Sequence, residues 1–122
     1  MKDHAVFIQT NHKQIVGALV AEYALKRNSQ HSDEFDVQIV EMRDYPFFAR
    51  HEGDLYLRDG VKRPWLNDDL QSFTPTRFLP PELMGYQGRA VVIDPDIFAV
   101  ADVWELLARD MEGKAIMCRR RH

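Results

Sequence analysis

Apolar positions in the first forty residues follow two different periods. Ala5-Val6-Phe7-Ile8 is an unbroken run of the kind that makes a strand covered on both faces. Beyond Asn11 the pattern changes: Ile15, Val16, Leu19, Val20 and Tyr23 recur three or four apart, which predicts a helix of about four turns with these residues as its buried stripe. Asn11 and Gln14 have the spacing of a capping box at its start, and the polar cluster Asn28 to Asp33 ends it. Val37, Ile39 and Val40 then supply a second strand, so the opening reads strand, helix, strand, a parallel crossover unit.

From about Arg43 to Ser72 the pattern has no clean period. Aromatics (Tyr45, Phe47, Phe48, Tyr56, Trp65) alternate with turn residues (Pro46, Gly53, Gly60, Pro64). So long an irregular connection is either a functional loop or a set of small elements, with its aromatics packed as a satellite of the core. Order returns at Thr74, expected to cap a short helix whose first residue is Pro75, and Pro80-Pro81 interrupt it. Another turn, Glu82 to Gly85, leads into Ala90-Val91-Val92-Ile93, expected as a buried strand. Asp102 and Glu105 form a second capping box for a helix carrying Val103, Leu106 and Leu107, which makes Asp102 structural. Ala115-Ile116-Met117-Cys118 is expected to begin a last short strand.

The 122 residues suit one domain, 1–122, with 43–72 as an irregular aromatic-rich insertion. The expected fold is α/β: a mostly parallel, Rossmann-like sheet with flanking helices. A strand followed at once by Arg119-Arg120-Arg121-His122 leaves a sheet element without its covering layer, so the sheet is expected to be incomplete and the chain to be the first half of a longer fold.

Composition narrows the function classes. With 45% hydrophobic and 29% charged residues the chain is an ordinary globular protein, and its net charge of −3 gives no electrostatic case for nucleic acid. No stretch approaches the ~20 apolar residues of a membrane helix, and the start lacks the longer apolar segment of a secretory signal. A cytoplasmic location is the default expectation. Cys118 is the only cysteine, so neither an intrachain disulfide nor a multi-cysteine metal site can form, and it is expected to pack as a small hydrophobe.

The strongest chemical feature is Asp94-Pro95-Asp96 at the end of the third strand-like run. Residues i and i+2 of an extended chain point to one side, so the two carboxylates can converge on one cation, and Pro95 suits the end of a ladder. Two hard oxygen ligands fit Mg or Mn, with phosphate and water completing the shell. The same tripeptide is also ordinary turn chemistry.

Phe73, Thr76-Arg77-Phe78-Leu79, Pro81, Leu83, Gly85-Tyr86, Gly88, Ala90, Ile93-Asp94-Pro95-Asp96, Asp102-Val103 and Glu105-Leu106 together resemble nucleotide-sugar glycosyltransferases of the GT-A fold, close to family 8 and its bacterial relatives. The resemblance implies a UDP-sugar donor held through Mn or Mg, with Asp94 and Asp96 matching the family's Asp-x-Asp metal motif. Arg77 matches a basic residue near the donor's phosphates. The loop from Gln9 to Lys13 matches the nucleotide-contacting turn in position, which makes Thr10 and Asn11 donor-binding candidates. It departs in type, because Thr10, Asn11 and His12 stand where relatives carry an acidic residue and an aromatic. The family's histidine ligand and acceptor-binding residues belong to a later part of the fold, and His122 comes too early to be that ligand.

The function expected on this basis is a metal-dependent glycosyltransferase, or its donor-binding half, transferring a hexose from a UDP-sugar to an acceptor that the sequence does not name. Two alternatives come from other classes. One is a non-catalytic nucleotide-binding module that dimerises through its unfinished sheet edges. The other takes Asp94 as the nucleophile of a haloacid-dehalogenase-like phosphatase, against which stands the motif's distance from the N-terminus.

Overall fold

The computed structural model describes every residue except Arg119 and His122, so the expectations on those two lie outside the described residues. The fold is α/β. Three parallel strands form the main sheet in the order β2-β1-β5: β1 is His4–Thr10, β2 is Asp36–Glu41 and β5 is Arg89–Ile93. Helix α1, Ile15–Arg27, connects β1 to β2, as the change of apolar period predicts. Both neighbours pair with β1 in parallel, Val6 lying opposite Val37 on one side and Val91 on the other.

The central position of β1 explains its unbroken apolar run. Val6 and Ile8 face α1 and join Ala18, Ala21, Leu25, Phe35, Val103 and Leu107 in one core. Ala5 and Phe7 face the opposite layer and meet Val40, Tyr45, Leu79, Leu83 and Met84. Full burial of such side chains is worth about 1.5–3 kcal/mol each, so a strand with two covered faces anchors both layers.

Two expectations about burial are corrected. Helix α1 buries Ala18, Ala21 and Leu25, while Val16, Leu19, Val20 and Tyr23 point outward, Val16 71% and Tyr23 62% exposed. Small alanines let the helix approach the sheet closely, and that approach turns the larger apolar residues to the outside. Strand β5 is an edge strand and not a buried one: Val91 and Ile93 pack into the α1 core, while Ala90 and Val92 are exposed on the other face.

The irregular middle resolves into small elements: a single 3-10 turn at Met42–Asp44, α2 at Pro46–Ala49, and an antiparallel hairpin of β3 (Leu55–Arg58) and β4 (Val61–Pro64). Its aromatics divide. Phe48 joins Met42 and Phe73 in a satellite core with Tyr45 beside it, Tyr56 meets Trp65 edge to face on the hairpin, and Phe47 is exposed.

Thr74–Phe78 is a 3-10 helix without a side-chain cap from Thr74, and the two prolines open α3, Pro80–Leu83, where a missing N–H costs nothing. Helix α4 is Trp104–Leu107. Asp102 does have a structural role there: its carboxylate accepts from the backbone N–H of Trp104 at 2.9 Å and of Gln30 at 3.0 Å, tying α4 to the loop after α1. Residues 115–118 form no strand, and Cys118 is exposed instead of packed. No helix among the described residues is long and apolar enough to cross a membrane.

Candidate functional site

The chain leaves β1 through α1 to β2 on one side and returns on the other side as β5. In open parallel sheets the carboxyl ends of strands at such a reversal flank a crevice, because the two loops diverge above the sheet. Here the loop after β1 carries Thr10, Asn11 and His12, and the loop after β5 carries Asp94 and Asp96.

Strand geometry stops at Ile93. Asp94 to Ile97 is a turn, closed by the Ile97 N–H donating to the Asp94 carbonyl at 3.3 Å. The two aspartates are therefore the first and third residues of a prolyl turn, which corrects the expectation that strand alternation aligns them. Pro95 is buried and Asp96 exposed. The turn lies against α1 at Gly17, where a Cβ would come 2.5 Å from the Pro95 carbonyl oxygen. Only glycine allows that approach.

Asp94 is held from below. Gln9 Nε2 donates to Asp94 Oδ1 at 2.6 Å, and Gln9 Oε1 accepts from the Thr76 hydroxyl at 3.3 Å. The single Thr76 hydroxyl proton is shared with the Phe73 carbonyl, 2.5 Å away. Gln9 and Thr76 are buried, so their polar atoms need partners, and the chain Thr76–Gln9–Asp94 satisfies them while leaving Asp94 Oδ2 out of that chain. Gln9 was expected only as the start of the nucleotide-contacting loop, and it lies inside β1, while Thr76 was named only within the family resemblance. The mark of Gln9 in the sequence is a polar residue at a covered position of a central strand, which must find an internal partner, whereas Thr76 sits in the 3-10 helix and carries no such mark.

Thr10 and Asn11 are fully buried, with their side chains engaged internally. Thr10 Oγ1 donates to the Asn11 carbonyl at 3.1 Å. Asn11 Oδ1 accepts from the N–H groups of Lys13 at 3.0 Å and Gln14 at 3.2 Å, and its amide nitrogen donates to the Leu70 carbonyl at 2.9 Å and the Ser72 hydroxyl at 3.1 Å. Asn11 thus fixes both the entry to α1 and the segment before Phe73. Gln14 does not complete a capping box, since its amide donates to Leu70 O at 2.6 Å.

Arg77 is exposed, its Nε donating to the Thr74 carbonyl at 3.2 Å. Its side chain lines a groove of about 1130 Å³ along the free edge of β5 with Met84, Val92 and Met117, away from the aspartate turn. His12 Nε2 lies 3.4 Å from Asp68 Oδ1. Its Nδ1 is buried without a hydrogen-bond partner among the described residues, while Glu41, opposite Thr10 in the sheet register, has its Oε1 3.4 Å from Arg43 Nε and its Oε2 accepting from the Arg43 N–H at 3.0 Å. An unpartnered buried ring nitrogen is an uncommon cost in a native fold.

Among the described residues no group of three or more His, Cys, Asp and Glu side chains is arranged to hold a metal ion. Asp94 and Asp96, half-buried and exposed respectively, supply at most two carboxylates. Two carboxylates do not make an all-protein cage, and a cation held by them would take most of its shell from phosphate and water.

Comparison with protein-family models, with curated proteins and with solved structures gives no match.

Proposed function

We propose that this chain binds a nucleoside-diphosphate sugar through a divalent cation, as the donor side of a metal-dependent glycosyltransferase of the GT-A type. The observation that carries the reading is the Asp94-Pro95-Asp96 turn at the reversal point of a parallel sheet, with Asp94 oriented by buried Gln9. The GT-A resemblance from Phe73 onward adds the choice of UDP and hexose.

Asp94 and Asp96 would hold Mn or Mg. Bound there, the cation would neutralise the diphosphate and assist departure of UDP as a Lewis acid. The amide of Gln9 keeps one oxygen of Asp94 engaged, so the carboxylate presents a fixed face. Gly17 and buried Pro95 hold the turn against α1, limiting the freedom that ligand binding must remove. His12 brings a polar atom to the same rim. Thr10 and Asn11 are buried as whole residues and would serve the donor only by fixing the course of the loop beside it. Arg77 sits one residue from Thr76, and its guanidinium reaches a donor phosphate only by leaving Thr74.

Calorimetric titration of the chain with UDP tests the reading. Binding is expected with Mn present, lost with EDTA, and weakened at least tenfold by Asp96→Ala. UDP binding that ignores both the metal and Asp96, or no binding at millimolar UDP with Mn, contradicts it.

A further inference from the structure

The outer side of β5 has ladder groups and no ladder. In a parallel sheet a strand turns its N–H and C=O groups alternately to either side, and β5 pairs only with β1, so its other side is unpaired among the described residues. Residues 115–118 follow that edge as the far wall of the groove and do not close onto it. Crossover handedness gives the reason. The Arg89 guanidinium donates to the Arg109 carbonyl at the amino end of β5, so a strand at 115–118 would add in parallel. Its crossover would run through α4, which covers the same face as α1, with Val103 and Leu107 beside Ala18 and Ala21. It would cross the sheet in the direction opposite to β1-α1-β2 and so have the opposite hand. Parallel crossovers are right-handed in about 98% of cases, so only one of the two is favoured, and the α1 crossover is the one that forms.

We infer that the vacant edge takes an extended acidic peptide of a partner protein, added to β5 as a strand. Charge selects this occupant. Arg77 and Arg109 line the groove, neither is in an ion pair, and no Asp or Glu lines it among the described residues, in a chain of net charge −3. Glu82 and Asp110 lie outside the lining, and Asp110 accepts from the Glu112 N–H at 2.8 Å and shares an adjoining cavity with Lys114. The two arginines stand at opposite ends of β5. Arg109 is beside Arg89, whereas Arg77 follows Thr76, whose hydroxyl bonds Gln9 just past the Ile8–Ile93 pair. Four residues of strand, roughly 13 Å, separate those levels, so carboxylates at positions i and i+4 of an added strand meet both arginines from one face. Between them Met84, Met117 and exposed Val92 offer adaptable apolar contact. A second copy is disfavoured, because two β5 edges paired antiparallel about a two-fold axis set Arg77 of each beside Arg109 of the other. A lipid with one anionic head would engage one arginine and leave the β5 ladder unpaired. The inference stands apart from the donor reading, since it uses neither metal nor nucleotide.

Fluorescence anisotropy with a labelled pentapeptide, Asp-Val-Val-Val-Asp, in EDTA and without nucleotide tests it on the full chain. Binding is expected with a dissociation constant on the order of 100 µM, weak because a short free strand must be ordered as it binds. Arg77→Glu and Arg109→Glu, both at exposed positions, are each expected to weaken it about tenfold with an unchanged circular dichroism spectrum. The peptide Lys-Val-Val-Val-Lys is expected to bind the double variant and not the parent, which separates a lost contact from a lost fold. Methylating alternate peptide amides is expected to abolish binding in one phase of the alternation and spare it in the other, since only alternate N–H groups face β5. In a proton–nitrogen NMR spectrum the amides of Ala90 to Val92 are expected to shift. No binding at millimolar peptide, equal binding of the lysine peptide, indifference to both reversals, or equal tolerance of both methylation patterns overturns the inference. So does oleate binding without peptide binding, or a dimer in light scattering that Val92→Glu converts to a monomer.

Discussion

Gln9 illustrates how one buried amide can decide the usefulness of a surface carboxylate. It is an interior residue of a central strand, yet it donates to Asp94 and accepts from Thr76, so both ends of its amide are committed. Gln9→Leu leaves Asp94 without its buried donor, which costs about 1–3 kcal/mol in the urea unfolding free energy. A variant as stable as the parent would show that Asp94 finds equivalent solvation elsewhere. Gly17 acts by having no side chain. In an ordinary helix interior, alanine gains about 0.5–1 kcal/mol over glycine. At Gly17 that gain meets a collision with the Pro95 carbonyl, and overpacking costs typically about 1–3 kcal/mol, so Gly17→Ala is expected to lower the urea midpoint. A raised midpoint would mean that the turn does not rest on α1. Some of this was legible in residues alone: the carboxylate pair was visible, but the partners that orient it were not, because hydrogen bonds between residues 9, 76 and 94 span more sequence than local patterns reach.

At the scale of elements, the apolar run of β1, the helical period of α1 and the β2 strand emerge where the patterns point, because each is dictated by burial on a sheet of known alternation. Which face of α1 turns inward was not legible. Volume alone favours Val16, Leu19, Val20 and Tyr23 for the core, but a close helix-to-sheet approach selects Ala18 and Ala21. The hairpin of β3 and β4 had a readable mark that periodicity in a longer window obscured. Asp59 and Gly60 both have positive φ, 53° and 78°, the two-residue turn that Asp-Gly favours between short strands. The last four-residue apolar run, 115–118, forms no strand: it lines a groove with the free edge of β5 without pairing to it, and strand propensity without pairing is weak. Asp102 joins α4 to the loop after α1, and the Ser29 hydroxyl holds its carboxyl below the ordinary value, helped by the Trp104 and Gln30 amides and by His31, against partial desolvation. Because the folded-state value is depressed, the stabilisation is fully present above the ordinary carboxylate pKa and is lost as pH falls through the lowered one. A carbon-detected NMR titration of the Asp102 carboxyl is expected to show its midpoint below that of a model peptide. A midpoint at or above the peptide's would remove Asp102 from the list of ties between these elements.

Across the whole molecule, the layers are held from the middle and open at the sides. The packed centre is β1 with its two covered faces, the outer face of α1 and the free edge of β5 are exposed, and the candidate site lies where the loops after β1 and β5 meet. A ligand that binds only the folded chain adds about 2.7 kcal/mol of stability at one hundred times its dissociation constant. The proposed function turns on where the cation goes, and paramagnetic broadening in a proton–nitrogen NMR spectrum reads this directly. With substoichiometric Mn and saturating UDP, the side-chain amide of Gln9 and the backbone amides from Ile93 to Ile97 are expected to broaden first, while those of the β3–β4 hairpin stay sharp. Broadening centred elsewhere, with the Gln9 amide unaffected, would contradict the assignment of Asp94 and Asp96 as the metal-holding pair.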